Sequence, residues 1–159
     1  LSFIGLFVFF SAGFEYRSVR ADTVLRENTV EQILRKSYTP VYISDPMEKP
    51  IVLTQKGEEK DFLVFDRNGN MHGVLHEEFV QDAIKNNAKK ELVSHYTSSN
   101  YEAVGTNINL KQLFLLFQRN GYSIIPVISQ GLMVGVVDRH QLNQFIRSKT
   151  SIWNTWKKA

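Results

Sequence analysis

The chain opens on an apolar run. Leu1 to Phe14 (LSFIGLFVFFSAGF) carries no charge, and Glu15 then starts a polar stretch containing Arg17 and Arg20. A membrane-spanning helix needs about 20 apolar residues, so residues 1–14 read as the end of such a helix. No basic segment precedes the run, which argues against a signal-peptide core. The arginines on its far side put residues 15–159 on the cytoplasmic face by the positive-inside rule. The expected location is therefore the membrane, with the bulk of the chain in the cytoplasm.

Residues 15–37 read as a connector helix, because Val19 to Ser37 lacks Pro and Gly and places Val30, Ile33 and Leu34 on one helical face. From Tyr38 the pattern changes and then repeats. Residues 61–84 read DFLVFDRNGNMHGVLHEEFVQDAI, and residues 123–146 read SIIPVISQGLMVGVVDRHQLNQFI. Each holds an apolar strand, a tight turn at Gly69 or Gly131, a second strand through Gly73 or Gly135, and an amphipathic helix. Leu63 falls opposite Pro126 if one residue is gapped at the turn.

The segments ahead of these also correspond. Val41 to Ser44 and Tyr101 to Val104 read as short strands. Asp45-Pro46 predicts a helix start running to about Gly57, weakened or kinked by Pro50. Asn107 or Asn109 caps the matching helix, which buries Leu110, Leu113, Phe114 and Phe117 and ends at Asn120-Gly121. Each unit thus predicts strand, helix, strand, strand, helix. The expected divisions are 1–14, the membrane-helix end; 15–37, the connector; 38–85, unit 1; 86–98, a linker; 99–149, unit 2; and 150–159, a tail.

Composition narrows the function. With 159 residues, 43% apolar and 22% charged, the chain can bury a core of its own. It has no cysteine, so disulfides, thiolate metal sites and thiol nucleophiles are out. A net charge of +3 is too mild for a nucleic-acid binder. Trp153 and Trp156, followed by Lys157 and Lys158, either pack on the domain or touch a membrane interface.

The repeat resembles the cystathionine-β-synthase (CBS) domain, which usually occurs as a tandem pair. Residues 38–149 carry the likeness, most clearly in LKQLFLLFQRNGYSIIPVISQGLMVGVVDRHQLNQFI. It implies an α/β fold of two pseudo-twofold CBS units. A second resemblance lies in IGLFVFFSAGFEYRSVR (Ile4 to Arg20), which is similar to the end of the membrane core of site-2-protease-like zinc metalloproteases. That likeness implies a cytoplasmic regulatory CBS pair on an intramembrane peptidase. The zinc and catalytic residues of that parent would lie outside this sequence. The alternative is a ligand-sensing or dimerisation module of another membrane protein, a transporter or channel. CBS pairs also imply self-association, here a homodimer.

No catalytic or metal-ligating set stands out. His76-Glu77 is the only His-Glu pair, and position 80 is Val, so the i, i+4 histidines of a zinc helix are missing. His72, His95 and His140 have no ligand spacing. The CBS resemblance implies adenosine-nucleotide clefts, with a Ser/Thr for phosphate and an Asp for ribose at the start of each final helix. The matching residues are Asp138 and Gln141 in unit 2, and His76 and Phe79 in unit 1. A carboxylate at the phosphate position argues against ATP or AMP; an uncharged adenosyl group still fits, or His76 meets an anion. His76, Asp138 and Gln141 are the candidate ligand-binding residues.

Overall fold

A computed structural model describes residues 20–156. The expected membrane-helix end at 1–14 and the basic tail end lie outside the described residues. No helix among the described residues is long and apolar enough to cross a membrane.

The elements run in the expected order, twice. After a first helix α1 (20–27) come β1 (Val41–Tyr42), α2 (Glu48–Gln55), β2 (Phe62–Phe65), β3 (Met71–Leu75) and α3 (Glu77–Lys85). The second unit holds β4 (Val104–Gly105), α4 (Leu110–Asn120), β5 (Ile124–Ser129), β6 (Leu132–Asp138) and α5 (Arg139–Trp156). Each sheet has three strands, ordered β1-β2-β3 and β4-β5-β6, parallel in the first pairing and antiparallel in the second. Val64 pairs with Gly73 and Val127 with Gly135, so the two hairpins share one register. Gly69 and Gly131 take the positive φ (+82° and +76°) that the turns require.

The local expectations fare unevenly. Asn109 is the N-cap of α4: its side chain accepts from the Gln112 amide at 2.9 Å, and Gly121 closes the helix in the left-handed conformation. Asp45 does not cap α2, which starts at Glu48. Its carboxylate instead accepts from the Tyr42 amide at 3.0 Å and from Lys49 at 2.7 Å. Pro50 is the third residue of α2, where no intrahelical N–H bond exists to lose, so it does not weaken the helix as expected.

The connector helix expected over 15–37 is also corrected. Among the described residues it is helical only to 27, followed by a short 3₁₀ turn at Val30–Gln32. The reason is tertiary pairing. The Val30 amide donates to Ile108 O, the Leu110 amide donates to Asn28 O, and Arg35 exchanges both backbone bonds with Val136 at 2.9 Å. These bonds to unit 2 replace the helical ones that residues 28–37 would make. Val30 and Ile33 are buried in the core of unit 2 together with Leu25.

The 86–98 linker behaves likewise toward unit 1. The Val93 and Ser94 amides donate to Asp45 O and Ile43 O, and Val74 and Ser98 exchange backbone bonds at 2.9 Å. Ala88 and Val93 are buried in the core of unit 1. Each unit is thus finished by the segment that leads into the other. Between the sheets, Leu63, Phe65 and Val74 of unit 1 pack on Ile124 and Val136 of unit 2, flanked by Tyr38 and Tyr101.

Candidate functional site

The two units meet along a seam where the final helices of both begin. Asp61, immediately before β2, is the one buried charged residue among those described, at 7% exposure. Its Oδ1 accepts from the Glu77 amide in the first turn of α3 at 2.8 Å. Its Oδ2 accepts from the Ser123 amide at 3.0 Å and from the Ser123 hydroxyl at 2.5 Å. His76 Nδ1 lies 3.5 Å from the same oxygen. Burial alone would raise the Asp61 carboxyl, but the bonds from His76, Ser123 and the Glu77 amide outweigh it and hold it below the ordinary range.

His76 is the residue before α3 and makes no cap with its side chain. Its ring instead lies flat on Tyr122 of unit 2, with centroids 4.8 Å apart and planes 6° apart. Tyr122 is fixed in turn by Arg139, whose guanidinium donates to Tyr122 O at 2.9 Å and to Phe117 O at 2.7 Å.

Asp138 stands at the matching place in unit 2, before α5. Its Oδ1 accepts from the Gln141 amide at 2.7 Å, and the Gln141 side chain accepts from the Asp138 amide at 3.2 Å. That reciprocal pair is a capping box with Asp and Gln in the two roles. Asp138 Oδ2 receives Arg35 Nη2 at 3.2 Å, and Arg35 Nη1 reaches Glu59 of unit 1 at 3.9 Å. Of the three sequence-derived candidates, Asp138 and Gln141 therefore meet each other. His76 makes its contacts at the other unit's junction.

This arrangement disfavours a phosphate at either junction. A phosphate would be held by first-turn amides at a helix N-terminus. In α3 the Glu77 amide is taken by Asp61, and in α5 the Gln141 amide is taken by Asp138. Both helix starts already carry an internal carboxylate, which repels a phosphate as well as displacing it. An adenosyl group without phosphates meets no such conflict. Among the described residues, no three His, Cys, Asp or Glu side chains are grouped to hold a metal ion.

Sequence reasoning missed Asp61, Ser123, Tyr122, Arg35 and Glu59. Only Asp61 left a trace, as a charged residue directly ahead of the apolar run FLVF.

Comparison with known proteins agrees with the architecture. Residues 93–148 match the family model of the CBS domain. None of the curated proteins compared with the chain matches it. Among solved structures, a signal-transduction protein with CBS domains from Burkholderia ambifaria is similar at TM-score 0.69 and 17% identity, over 76% of this chain and 95% of that one. The CBS domain of a CBS-domain-containing membrane protein from Sphaerobacter thermophilus is similar at TM-score 0.61 and 17% identity, over 85% and 97%. A CBS-domain pair in complex with 5′-methylthioadenosine and S-adenosyl-L-methionine is similar at TM-score 0.66 and 15% identity, over 77% and 98%. The described chain has the fold of a tandem CBS-domain pair, and its second unit carries the family's sequence pattern.

Proposed function

We propose that this chain is the regulatory CBS pair of a membrane protein, and that the parent is an intramembrane zinc metalloprotease of the site-2-protease type. The observation that carries the regulatory part is the crossed completion of the units. Residues 20–35 finish unit 2, while the chain then enters unit 1 at β1. A change of angle between the units therefore pulls on the segment next to the apolar run. The protease part rests on the likeness of Ile4 to Arg20 to the end of that family's membrane core.

In this reading the effector is an adenosyl compound without a phosphate chain, bound along the seam near His76 in one unit or Asp138 and Gln141 in the other. The occupied helix starts of α3 and α5 support that choice, as does the adenosyl-bound pair among similar folds. Coupling then requires that the effector bind two arrangements of the units with different affinity.

A second reading is a dimerisation scaffold on a transporter or channel. It is favoured by Val52 on α2 and Leu115 on α4, exposed at 41% and 50% on helices at matching places in the two units. The coding DNA upstream of Leu1 separates the parents. A His-Glu-x-x-His on an apolar helix with a later intramembrane Asp is the expected result. Several membrane helices without those ligands would overturn the protease assignment.

A further inference from the structure

We propose that Arg35 is a charged latch that sets whether the N-terminal lead moves with unit 2 alone or with both units; this deepens the regulatory reading above and rests on it. The backbone of Arg35 belongs to unit 2, through its two bonds to Val136. Gly135 makes that contact close: a Cβ there would lie 2.5 Å from Arg35 O. The guanidinium then spans the seam. One nitrogen meets Asp138 of unit 2 at 3.2 Å, and the other meets Glu59 of unit 1 at 3.9 Å. Glu59 also accepts the Thr39 amide at 3.2 Å, so it holds the lead four residues further on. The lead is thereby tied to unit 2 at residue 35 and to unit 1 at residue 39, with Arg35 joining both carboxylates.

At the His76 end of the seam the units are joined by the Asp61–Ser123 bonds, and no arginine spans them there among the described residues. Ser98 approaches Gly73 as Arg35 approaches Gly135, but its hydroxyl only pairs with Asn100. His76 and Tyr122 face each other there through their rings. Among the described residues, the arginine bridge between two carboxylates is built where the chain arrives from the N-terminal side. If the units shear, the backbone pairing holds residue 35 on unit 2. The longer contact to Glu59 is then the one that opens. Arg35 Nε is buried without a hydrogen-bond partner among the described residues, so the guanidinium has a donor to spare as it swings.

The test uses the whole chain, which has no cysteine of its own. Spin labels at Glu27→Cys in the lead and Lys85→Cys in unit 1, both exposed, report their separation. Amide exchange is read at Arg35 and Thr39. Glu59→Gln keeps an acceptor for Thr39 but removes the charge. It should broaden the label distance distribution and speed Thr39 exchange about threefold, the size of a partly exposed ion pair, while Arg35 exchange stays unchanged. In the unsubstituted chain 1 M KCl should do the same, since it screens charges beyond about 3 Å, and should add nothing to Glu59→Gln. The proposal is overturned if neither the substitution nor salt alters distance or exchange, or if Arg35 and Thr39 loosen together. No ligand enters the test, so its failure is separate from a failure to bind an adenosyl compound.

Discussion

Asp61 and Ser123 stand immediately before the central strands of the two sheets and are bonded to each other across the seam, amide and hydroxyl of one to a single carboxylate oxygen of the other. The second oxygen of Asp61 caps α3 through the Glu77 amide. One buried side chain thus fixes a helix start in its own unit and the position of the neighbouring unit.

Asp61→Ala leaves the Ser123 amide, its hydroxyl and the Glu77 amide without their acceptor. Buried donors left unpaired cost about 1–3 kcal/mol each in the worst case and share water in part, so a loss of about 2–4 kcal/mol is expected. Urea unfolding of the variant against the parent chain measures it. A change below about 0.5 kcal/mol would mean that the seam does not depend on this carboxylate.

Acid should weaken the fold through the same group. The Asp61 carboxyl is held below its ordinary value in the folded chain, so the unfolded chain takes up the proton first as pH falls. Its stabilising contribution is full above about pH 4, the unfolded range, and is lost as pH drops through the lower folded value. Melting curves between pH 6 and pH 2 should show a steeper acid loss in the parent chain than in Asp61→Ala. Parallel curves would count against this assignment.

Gly73 and Gly135 are needed for space. A Cβ on Gly73 would lie 2.2 Å from Ser98 O, and one on Gly135 would lie 2.5 Å from Arg35 O. Either Ala substitution must push a crossing segment off its strand, at about 1–3 kcal/mol or more. Gly57→Ala meets no atom within 4 Å but sits at φ +75°, and should cost about 1–2 kcal/mol through backbone strain alone. Limited proteolysis should cut near residue 98 in Gly73→Ala and near residue 35 in Gly135→Ala. Cutting at the same places in the parent chain would contradict the crossed pairing.

Removing the lead should damage the distant unit. Leu25, Val30 and Ile33 belong to the core of unit 2, and Lys111 of α4 holds Asp22 at 2.7 Å. A chain beginning at Tyr38 should lose dispersed amide signals from residues 104–146 and keep those from 41–96. Leu25→Ala alone should cost about 2–5 kcal/mol. Loss of unit 1 signals instead would reverse the assignment.

The fold was legible because the signal sits in local chemistry: turn glycines at 69 and 131, the Asn109 cap and the apolar face of α4 all report their own surroundings. The crossed segments were not legible. Val30, Ile33 and Leu34 have helical spacing, but their backbone is claimed by residues 106–110 and 136, and no local pattern encodes a partner that far away. Asp138 and Gln141 were singled out by their position. Their roles come from each other, since Asp-x-x-Gln is also a capping box. Asp61 and Tyr122 gain their meaning only when the second unit is brought against the first.

In the proposed regulation, an adenosyl compound alters the angle between the units and, through it, the lead. The most direct measurement is a calorimetric titration of the chain with S-adenosylmethionine, 5′-methylthioadenosine and ATP, with the Glu27→Cys and Lys85→Cys label distance followed in parallel. Saturable heat is expected with the first two, none with ATP, and a shift in label distance at the same midpoint. No heat from any of the three, with an unchanged distance and a concentration-dependent dimer, would contradict it and leave a scaffold.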